Sequence, residues 1–404
     1  MKTKFGLHWQ ILAAFVLAIL FGLFLPDHVH FVDWMGTLFL KALNMIIIPL
    51  ILSSIISGIT NLGNGDNLGR LGLKTFGYYI LTSTLAILTG LLFVNIIKPG
   101  VGVELGLEKN VENLTLSDQT FLDTLLNIVP SNVFRSFMEA DMLSIIFFSI
   151  IFGFFITKVP EKPKEFLTNF FNAIFEVMMK LTLFIIKLAP LGIFGIVAKV
   201  VSEQEDLGEL VSSMGMYMGT VLLALGFHAI ITLPMLAKFF GKISPLKHFN
   251  AVSTSLLTAF STSSSSATLP ITISEVEKKS GVSNKITSFT LPLGATINMD
   301  GTALYELIAV MFIAQQYGIE LTIGKQIIIV VTALLASIGA AGIPMAGLVM
   351  ISIILKAVDL PLEGIGLILA VDRILDMFRT SVNVWSDSCG AAIIAKSEGE
   401  QLKV

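Results

Sequence analysis

The stretch VDRILDMFRTSVNVWSD, residues 371–387, places five ionisable side chains among seventeen residues, and the apolar sequences GIGLILA and CGAAIIA lie on either side of it. On a helix, its polar side chains fall within about 60° of one line: Asp372, Arg373, Asp376, Arg379, Thr380, Asn383 and Asp387. A charge at the centre of a membrane helix costs about 2.5–3.5 kcal/mol. We therefore predict that this face lines a polar cavity and that its charges neutralise one another or bind a ligand. A structural network that joins helices is the alternative.

The composition places the chain among integral membrane proteins. Of its 404 residues, 54% are hydrophobic and 14% are charged, whereas soluble domains contain about 25% charged residues. The net charge of −3 and the absence of a basic patch disfavour a nucleic-acid partner. The single cysteine, Cys389, excludes an intramolecular disulfide. The N-terminal apolar run lacks a small-x-small cleavage site, so we interpret it as a retained helix.

Two interruptions distinguish the second half of the chain from the first. Stretches long enough to span a bilayer occur at about residues 8–25, 36–60, 73–97, 140–157, 166–200 and 210–237. After these, FSTSSSSATLP (260–270) and SIGAAGIP (337–344) break two apolar runs. We predict re-entrant hairpins at 247–282 and 322–356, each followed by a long helix, 283–317 and 364–396. The result is an all-α membrane protein of eight transmembrane helices and two hairpins. Two ordinary helices kinked at Pro270 and Pro344 are the alternative.

The charges of the connecting segments predict the orientation. Basic residues concentrate in segments that we place in the cytoplasm together with both chain termini: Lys2, Lys4, Arg70, Lys74, Lys158, Lys162, Lys164, Lys238, Lys242, Lys247, Lys396 and Lys403. Acidic residues concentrate around 104–123 and 203–209, which we place outside. The two hairpin-plus-helix units then form an inverted pair. Interrupted helices at matching positions of two repeats are typical of a transporter substrate site.

A second polar stretch, GATINMDGTALYE (294–306), resembles a helix that unwinds in mid-membrane. Unwinding frees backbone carbonyls, and carbonyl, Asn and Asp oxygens are ligands for a small hard cation rather than for a transition metal. A glycine kink with a capping aspartate is the alternative. In the first hairpin, serine hydroxyls and free N–H groups at a helix terminus favour an anionic group. The small residues of the second hairpin suit a moving gate.

Four motifs in this order, STSSSSATLP, LPLGATINMDGTALYE, ASIGAAGIPMAG and DRILDMFRTSVNVWSD, resemble the glutamate transporter family of dicarboxylate/amino acid:cation symporters. GYYILTS (77–83) and NIVPSN (127–132) also fit. The resemblance implies a homotrimer in the plasma (cell inner) membrane, in which each protomer moves a transport domain against a scaffold like an elevator. Residues 1–72 would be scaffold, and 73–139 would hold helix 3 of the transport domain and an extracellular loop. Residues 140–240 would hold helices 4 and 5 of the scaffold and helix 6 of the transport domain, whose core would be 241–404.

The resemblance also implies binding residues. The substrate site would use Ser265, Thr302, the backbone at Ile343 and Gly347, Asp376, Arg379, Thr380 and Asn383. One sodium site would use Asp387 with carbonyls of Gly294, Asn298 and Asn383. A second would use carbonyls of Thr296, Ser337, Ile338 and Ala340. A third would use Tyr79, Thr82, Ser83, Asn298 and Asp300.

Particular residues refine the expected subtype. Arg379 favours an acidic substrate, and Asp387 favours sodium where proton-coupled bacterial members have Asn. Glu306 follows TALY as in mammalian members, and a buried glutamate there could carry a proton or help to hold potassium. A permanent Glu306–Arg373 ion pair is the alternative. Ser263 and Met377 stand where family members carry an arginine, and whether Arg373 replaces that arginine stays open.

We therefore expect a symporter, without an organic cofactor, that imports L-aspartate or L-glutamate with sodium across the bilayer. Proton co-transport, potassium counter-transport, the number of sodium ions and an anion leak stay open. A carrier of C4-dicarboxylates or neutral amino acids is the runner-up, although a substrate without an ammonium would leave Asp376 unpaired. An intramembrane enzyme is disfavoured because no oriented nucleophile–base pair emerges. A channel is disfavoured because the hairpins lack a repeated filter sequence.

Overall fold

The computed structural model describes residues 7–62, 69–101, 129–139, 141–202, 207–339 and 346–404, and these residues form helices and no strand. The acidic segments at 102–128 and 203–206, which we expect outside, fall beyond the described residues. The helices, in chain order, are α1 Leu7–Phe24, α2 Asp33–Leu62, α3 Gly69–Ile97, α4 Val133–Glu139, α5 Met142–Ile156, α6 Glu161–Ile186, α7 Ala189–Ser202, α8 Leu207–Phe227, α9 Leu233–Phe239, α10 Pro245–Ala251, α11 Ser253–Thr262, α12 Ser265–Glu275, α13 Asn284–Ile297, α14 Asp300–Gln316, α15 Ile323–Gly339, α16 Ala346–Ala357 and α17 Ile365–Ser397.

Five helical stretches of the described chain are long and apolar enough to cross a membrane, which confirms the membrane class. They are Asp33–Thr60, Arg70–Ile97, Glu161–Ile186, Val211–Phe239 and Asn284–Gln316. The predicted total of eight spans stays a prediction. One expected span is wrong in detail, because the stretch 166–200 is two helices, α6 and α7. Pro190 near the start of α7 has no N–H to donate to a carbonyl one turn earlier, so the first helix ends there.

The predicted interruption of the first hairpin region lies at Ser263 and Ser264, between α11 and α12, which contact each other. Ser263 has a φ of 50°, in the left-handed region, which reverses the chain direction. Pro270 lies inside α12, so the chain is interrupted at the serines and not at that proline. Helices α15 and α16 also contact each other. The tip that would join them, with Ala340 and Ile343, falls outside the described residues.

The predicted unwinding at GATINMDG is confirmed. Helix α13 ends at Ile297 and α14 begins at Asp300, and Asn298 and Met299 between them have non-helical backbones. Met299 occupies the capping position that the alternative assigned to an aspartate, and Asp300 is the first residue of α14. The break therefore places the polar side chains of Asn298 and Asp300 close together within the protein interior, where both residues are fully buried.

Helix α14 lies at the centre of the helical assembly. Its residues from Asp300 to Ala314 are all buried, and α3, α8, α15, α16 and α17 pack around it. A helix buried on all sides has no access to water, so its polar groups need partners from neighbouring helices. The irregular backbone at Asn298 is consequently enclosed by protein, as a membrane protein requires.

Helices α1, α2, α5, α6 and α7 form a second group. Helix α1 packs on α7, and α2 packs on α5, α6 and α7. Helices α3 and α8 instead pack with α14, and α11 and α13 pack on α17. The division of the chain into a scaffold and a transport domain stays a prediction.

The chain end fastens two parts of one face. The Lys74 ammonium contacts the Ser397 carbonyl at 3.0 Å and Glu398 at 2.6 Å, and Arg70 also pairs with Glu398. Farther along, Glu400 accepts a hydrogen bond from the Ser283 N–H at 2.9 Å. The tail thereby links the start of α3 to the start of α13. The hydrogen bonds from Arg70 and then Lys74 lower the pKa of Glu398 to about 2.

We expect Glu398→Gln to release this tail. A carboxyl with a lowered pKa contributes stability above its ordinary value of about 4.3 and loses that contribution as the pH falls toward the lowered value. Protection of the amides at 397–404 against hydrogen–deuterium exchange, measured relative to the intrinsic exchange rate at each pH, should therefore fall below about pH 4 in the wild type. In the variant this protection should already be low at neutral pH. Glu363→Gln, at an exposed position, is the control, and equal exchange in the two variants would contradict the assignment.

Candidate functional site

A buried guanidinium lies in the middle of α17. Arg379 is only 1% exposed, and its Nη2 lies 2.7 Å from Asp376 Oδ1 while its Nη1 lies 3.2 Å from Asp372 Oδ1. Its Cζ lies 3.9 Å from the centre of the Tyr305 ring on α14. Two carboxylates and an aromatic face therefore compensate a charge that burial alone would disfavour strongly.

A glycine of α16 allows this helix to reach the guanidinium. A Cβ at Gly347 would lie 2.8 Å from Arg379 Nη1 and 3.5 Å from Thr302 Cγ2. Any side chain there would occupy the space beside the charged group. The backbone at Gly347 thus faces Arg379 and Thr302.

Asn383, one turn beyond Arg379, connects α17 to the start of α14. Its Nδ2 donates to Thr302 Oγ1 at 3.1 Å, and its Oδ1 accepts from the Gly301 N–H at 2.8 Å. A Cβ at Gly301 would lie 2.8 Å from the Arg379 carbonyl oxygen, so only glycine allows the two helices to approach this closely. The structure therefore brings together Thr302, Gly347, Asp376, Arg379 and Asn383.

The other expected substrate residues are less directly connected. Ser265 and Thr380 are both buried. Within the described chain, neither hydrogen-bonds to the Arg379 group, which consists of Arg379, Asp372, Asp376 and Tyr305. Helix α11 packs along α17, and Ser381 Oγ donates to the Leu256 carbonyl at 2.9 Å. Ser264 caps α12 by accepting from the Ala267 N–H at 3.2 Å. Ile343 falls outside the described residues.

Oxygen atoms converge on the break between α13 and α14. Ser83 donates to Asp300 Oδ1 at 2.6 Å, and Thr82 donates to Asn298 Oδ1 at 3.2 Å. Asn298 Nδ2 donates to Asp387 Oδ1 at 2.9 Å. Side chains of α3 and α17 thus meet the unwound segment. Four of the five residues expected at the third sodium site are therefore hydrogen-bonded in two pairs, Ser83 with Asp300 and Thr82 with Asn298.

Two other residues expected at the first sodium site, Gly294 and Asn298, contact Asp387. Gly294 lies against its carboxylate, because a Cβ there would clash with it. Tyr79, the fifth residue of the third expected site, lies beside Gly294 and donates its hydroxyl to the Thr290 carbonyl at 2.6 Å. Tyr79 therefore lies between the two expected sites.

The second expected sodium site is only partly described. Helices α13 and α15 contact each other, but the Thr296 hydroxyl is exposed and bonds within its own helix, to the Leu293 carbonyl. Ser337 Oγ likewise donates to the Leu334 carbonyl at 2.9 Å. Nothing is described of the Ile338 side chain, and Ala340 falls outside the described residues.

The side chains of Thr82, Ser83, Asn298, Asp300 and Asp387 form an oxygen cluster. Its donor set suits a hard monovalent or divalent cation. Its atoms are hydroxyl, amide and carboxylate oxygens from three helices. Throughout the described part of the chain, no group of three or more His, Cys, Asp or Glu side chains could hold a metal ion. A cation here would therefore rely on neutral oxygens together with at most two such side chains.

Glu306 is fully buried, and neither of its carboxylate oxygens has a hydrogen-bond partner among the described residues. The alternative of a Glu306–Arg373 ion pair is not observed. Arg373 Nη1 instead lies 3.8 Å from Asp376 Oδ2. Arg373 thus approaches the same carboxylate that Arg379 binds.

Sequence reasoning missed two residues of the oxygen cluster. His228 Nε2 lies 3.2 Å from Asp300 Oδ2, and Ser386 Oγ donates to the same oxygen at 2.6 Å. His228 begins a π-helical turn after α8, a feature frequent at functional sites. Its signal was a lone histidine within the apolar stretch LGFHAIIT, and that of Ser386 was its place one residue before Asp387.

A helical membrane protein with interrupted helices, a buried charge-paired site and an adjacent oxygen cluster belongs to the class of secondary transporters by its architecture. A family model, the Sodium:dicarboxylate symporter family, matches residues 7–397. The chain belongs to this family, which confirms the resemblance seen in its motifs.

Individual relatives match along nearly the whole chain. The Proton/glutamate-aspartate symporter of Escherichia coli (strain K12) is 37% identical, with 98% of this chain and 94% of that protein covered. The Proton/sodium-glutamate symport protein of Bacillus subtilis (strain 168) gives the same three values. Excitatory amino acid transporter 3 of Mus musculus is 36% identical, with 98% of this chain and 87% of that protein covered.

We expect Arg379→Met to destabilise the protein by about 3–5 kcal/mol, because two buried carboxylates lose their cation. Thermal unfolding in detergent should show a clearly lower midpoint, and Asp372→Asn in the same chain should restore part of the loss. Arg135→Met is the matched control, since Arg135 and its partner Glu139 are exposed and such pairs contribute little. Equal shifts in the two arginine variants would argue against a buried ion group.

Proposed function

We propose that this protein is a symporter that imports L-aspartate or L-glutamate together with sodium ions. The observation that carries the proposal is the buried pairing of Arg379 with Asp376, at 2.7 Å. An acidic amino acid offers an ammonium for Asp376 and a side-chain carboxylate for Arg379, so both charges keep a partner when it binds. The names of the relatives, which include glutamate and aspartate symporters, support the same substrate class.

Substrate binding would replace the Arg379–Asp376 ion pair with two ion pairs, one between Asp376 and the substrate ammonium and one between Arg379 and the substrate carboxylate. The guanidinium of Arg379 can hold a carboxylate with two parallel hydrogen bonds. The α-carboxylate would lie at the start of α12, where Ser265 and free N–H groups favour an anion. Thr302 and Asn383, already bonded to each other, would contact the substrate from the side of α14 and α17. Thr380 and the backbone at Ile343 and Gly347 would complete the site.

Sodium would bind where α13 gives way to α14. Asp300 with Ser83, Asn298 and Thr82 would form one site near Tyr79, and Asp387 with carbonyls of Gly294, Asn298 and Asn383 another. Carbonyls of Thr296, Ser337, Ile338 and Ala340 would form a third. Asn298 hydrogen-bonds to Asp387 and accepts from Thr82. Its position supports coupling between sodium binding and the shape of the helix break beside Thr302.

Movement would follow an elevator mechanism in a homotrimer, with both termini in the cytoplasm and eight spanning helices. Helices α1, α2 and α5 to α7 would form the scaffold, which includes helices 4 and 5 of the expected 140–240 region. Helices α3 and α8 would join the core from 241 onward as the transport domain. Contacts of α15 and α16 with α2, and of α16 with α5, support a sliding surface at the second hairpin.

The test is uptake of radiolabelled aspartate and glutamate into proteoliposomes under separately imposed sodium, proton and potassium gradients. An inward sodium gradient should drive accumulation, and unlabelled aspartate or glutamate should compete better than malate or serine. Preference for malate would replace the proposal with a C4-dicarboxylate carrier. Equal uptake without any gradient would exclude symport.

In the same assay, Asp387→Asn should raise the sodium concentration for half-maximal substrate uptake at least about tenfold, because a charged ligand of a hard cation is lost. Asp300→Asn should shift it in the same direction. Asp359→Asn, at an exposed position, is the control. Unaltered sodium titrations in both site variants would remove these carboxylates from the proposed sites.

Glu306 is proposed as the residue that links proton and potassium to transport. Burial in an apolar setting disfavours its charged form, so it would bind a proton with the substrate and lose it inside. Its carboxylate could then help to hold potassium during the return step. Glu306→Gln should keep substrate exchange but lose the pH dependence and potassium stimulation of net uptake. Retained responses, matching those of the exposed control Glu320→Gln, would assign Glu306 a structural role.

A further inference from the structure

An apolar groove of about 360 Å³ lies between the end of α8, helices α9 and α10, and the outer side of α17. It is separate from the Arg379 group and the oxygen cluster. Its lining includes Ile230, Pro234, Leu246, Phe249, Val382 and Trp385. Ile230 is 75% exposed and Leu246 is 70% exposed, so the groove opens to the surroundings of the protein.

The groove presents few polar groups to a ligand. The Trp385 indole N–H already donates to the Ala229 carbonyl at 3.1 Å, and Ser381 Oγ already donates to the Leu256 carbonyl. Phe249 packs edge-on against Trp385, with ring centres 5.6 Å apart. An open, apolar channel whose polar atoms are already bonded suits an alkyl chain rather than a polar metabolite.

Three lysines lie close in sequence to residues that line the groove, such as Pro234 and Leu246. The stretch 238–247 runs from the end of α9 into α10 and carries Lys238, Lys242 and Lys247, all exposed. No ion pair involves them within the described residues, and the sequence contains no Asp or Glu between Glu209 and Glu275. The positive-inside pattern places this segment in the cytoplasm. The cytoplasmic leaflet of the membrane carries anionic lipids.

We propose that the groove binds an anionic phospholipid of the cytoplasmic leaflet, with one acyl chain along Trp385 and the phosphate group against Lys238, Lys242 and Lys247. Burial of the chain contributes in proportion to its CH₂ groups, and each lysine adds to the attraction for the headgroup. The lipid would contact both α9 and the base of the α11–α12 pair. It would thereby support α17 from the side opposite the proposed substrate site, because Ser381 and Val382, which line the groove, lie between Thr380 and Asn383 along that helix.

Trp385 supplies a native probe for this lipid. The chain has three tryptophans, so Trp9→Phe with Trp34→Phe leaves Trp385 as the sole one. In proteoliposomes, phosphatidylglycerol with brominated acyl chains should quench its fluorescence more strongly than phosphatidylcholine with the same brominated chains at equal content. Equal quenching by the two lipids would overturn the proposal of an anionic lipid.

Two matched pairs of variants separate the headgroup from the chain. Lys238→Gln, Lys242→Gln and Lys247→Gln together should abolish the preference for phosphatidylglycerol, with about fivefold lower affinity for each lysine removed. Lys162→Gln, Lys278→Gln and Lys285→Gln, also exposed, should leave the preference intact. A similar loss in both triple variants would indicate general surface attraction and reject the groove as the site.

The second pair tests the chain. Leu246→Gln should reduce quenching by either brominated lipid, whereas Leu257→Gln should not, although the two leucines are 70% and 68% exposed. Thermal unfolding and circular dichroism of each variant would verify that it is folded. If the brominated lipids quench Trp385 equally in the folded Leu246→Gln and Leu257→Gln variants, no acyl chain occupies the groove.

Discussion

The burial of the Arg379 guanidinium constrains the rest of the structure. An isolated charge in the interior would be very costly, so the chain must bring compensating groups to it. Asp376 and Asp372 come from the same helix, one turn and two turns earlier. Tyr305 comes from α14 and stacks on the guanidinium. Gly347 on α16 leaves space for it. Three helices therefore have fixed positions relative to one buried charge.

The interruption between α13 and α14 follows from the same requirement for internal partners. Asn298 and Met299 leave the helical conformation, and irregular backbone of this kind would be costly in a bilayer unless protein surrounds it. Helices α3 and α17 provide that surrounding through Thr82, Ser83 and Asp387. The charged site and the oxygen cluster are adjacent because Asn383 bonds to both residues that follow Asp300, Gly301 and Thr302. Neither site can be rearranged without altering the other.

Basic residues at the expected cytoplasmic side serve two different surfaces. Arg70 and Lys74 are engaged with Glu398 and so attach the chain end to α3. Lys238, Lys242 and Lys247 remain exposed beside an apolar groove. The same residue type thus stabilises an intramolecular contact in one place and offers a lipid-facing surface in the other. The difference arises from the nearby carboxylate in the first case and from the absence of Asp and Glu from residues 210–274 in the second.

The sequence by itself determined the membrane class, the polar face of α17 and the break near Asn298, because these depend on composition, helical periodicity and local backbone preference. The motifs shared with the transporter family also led to Arg379, Asp376, Asn383 and Thr302, which the structure brings together. Tertiary structure alone decided the partners. The contacts of His228 and Ser386 with Asp300 and of Tyr305 with Arg379 depend on how helices rotate and pack against each other. The residues of each of these pairs are far apart in sequence. No local pattern encodes the distance between them, since that distance results from close packing of side chains across several helices at once.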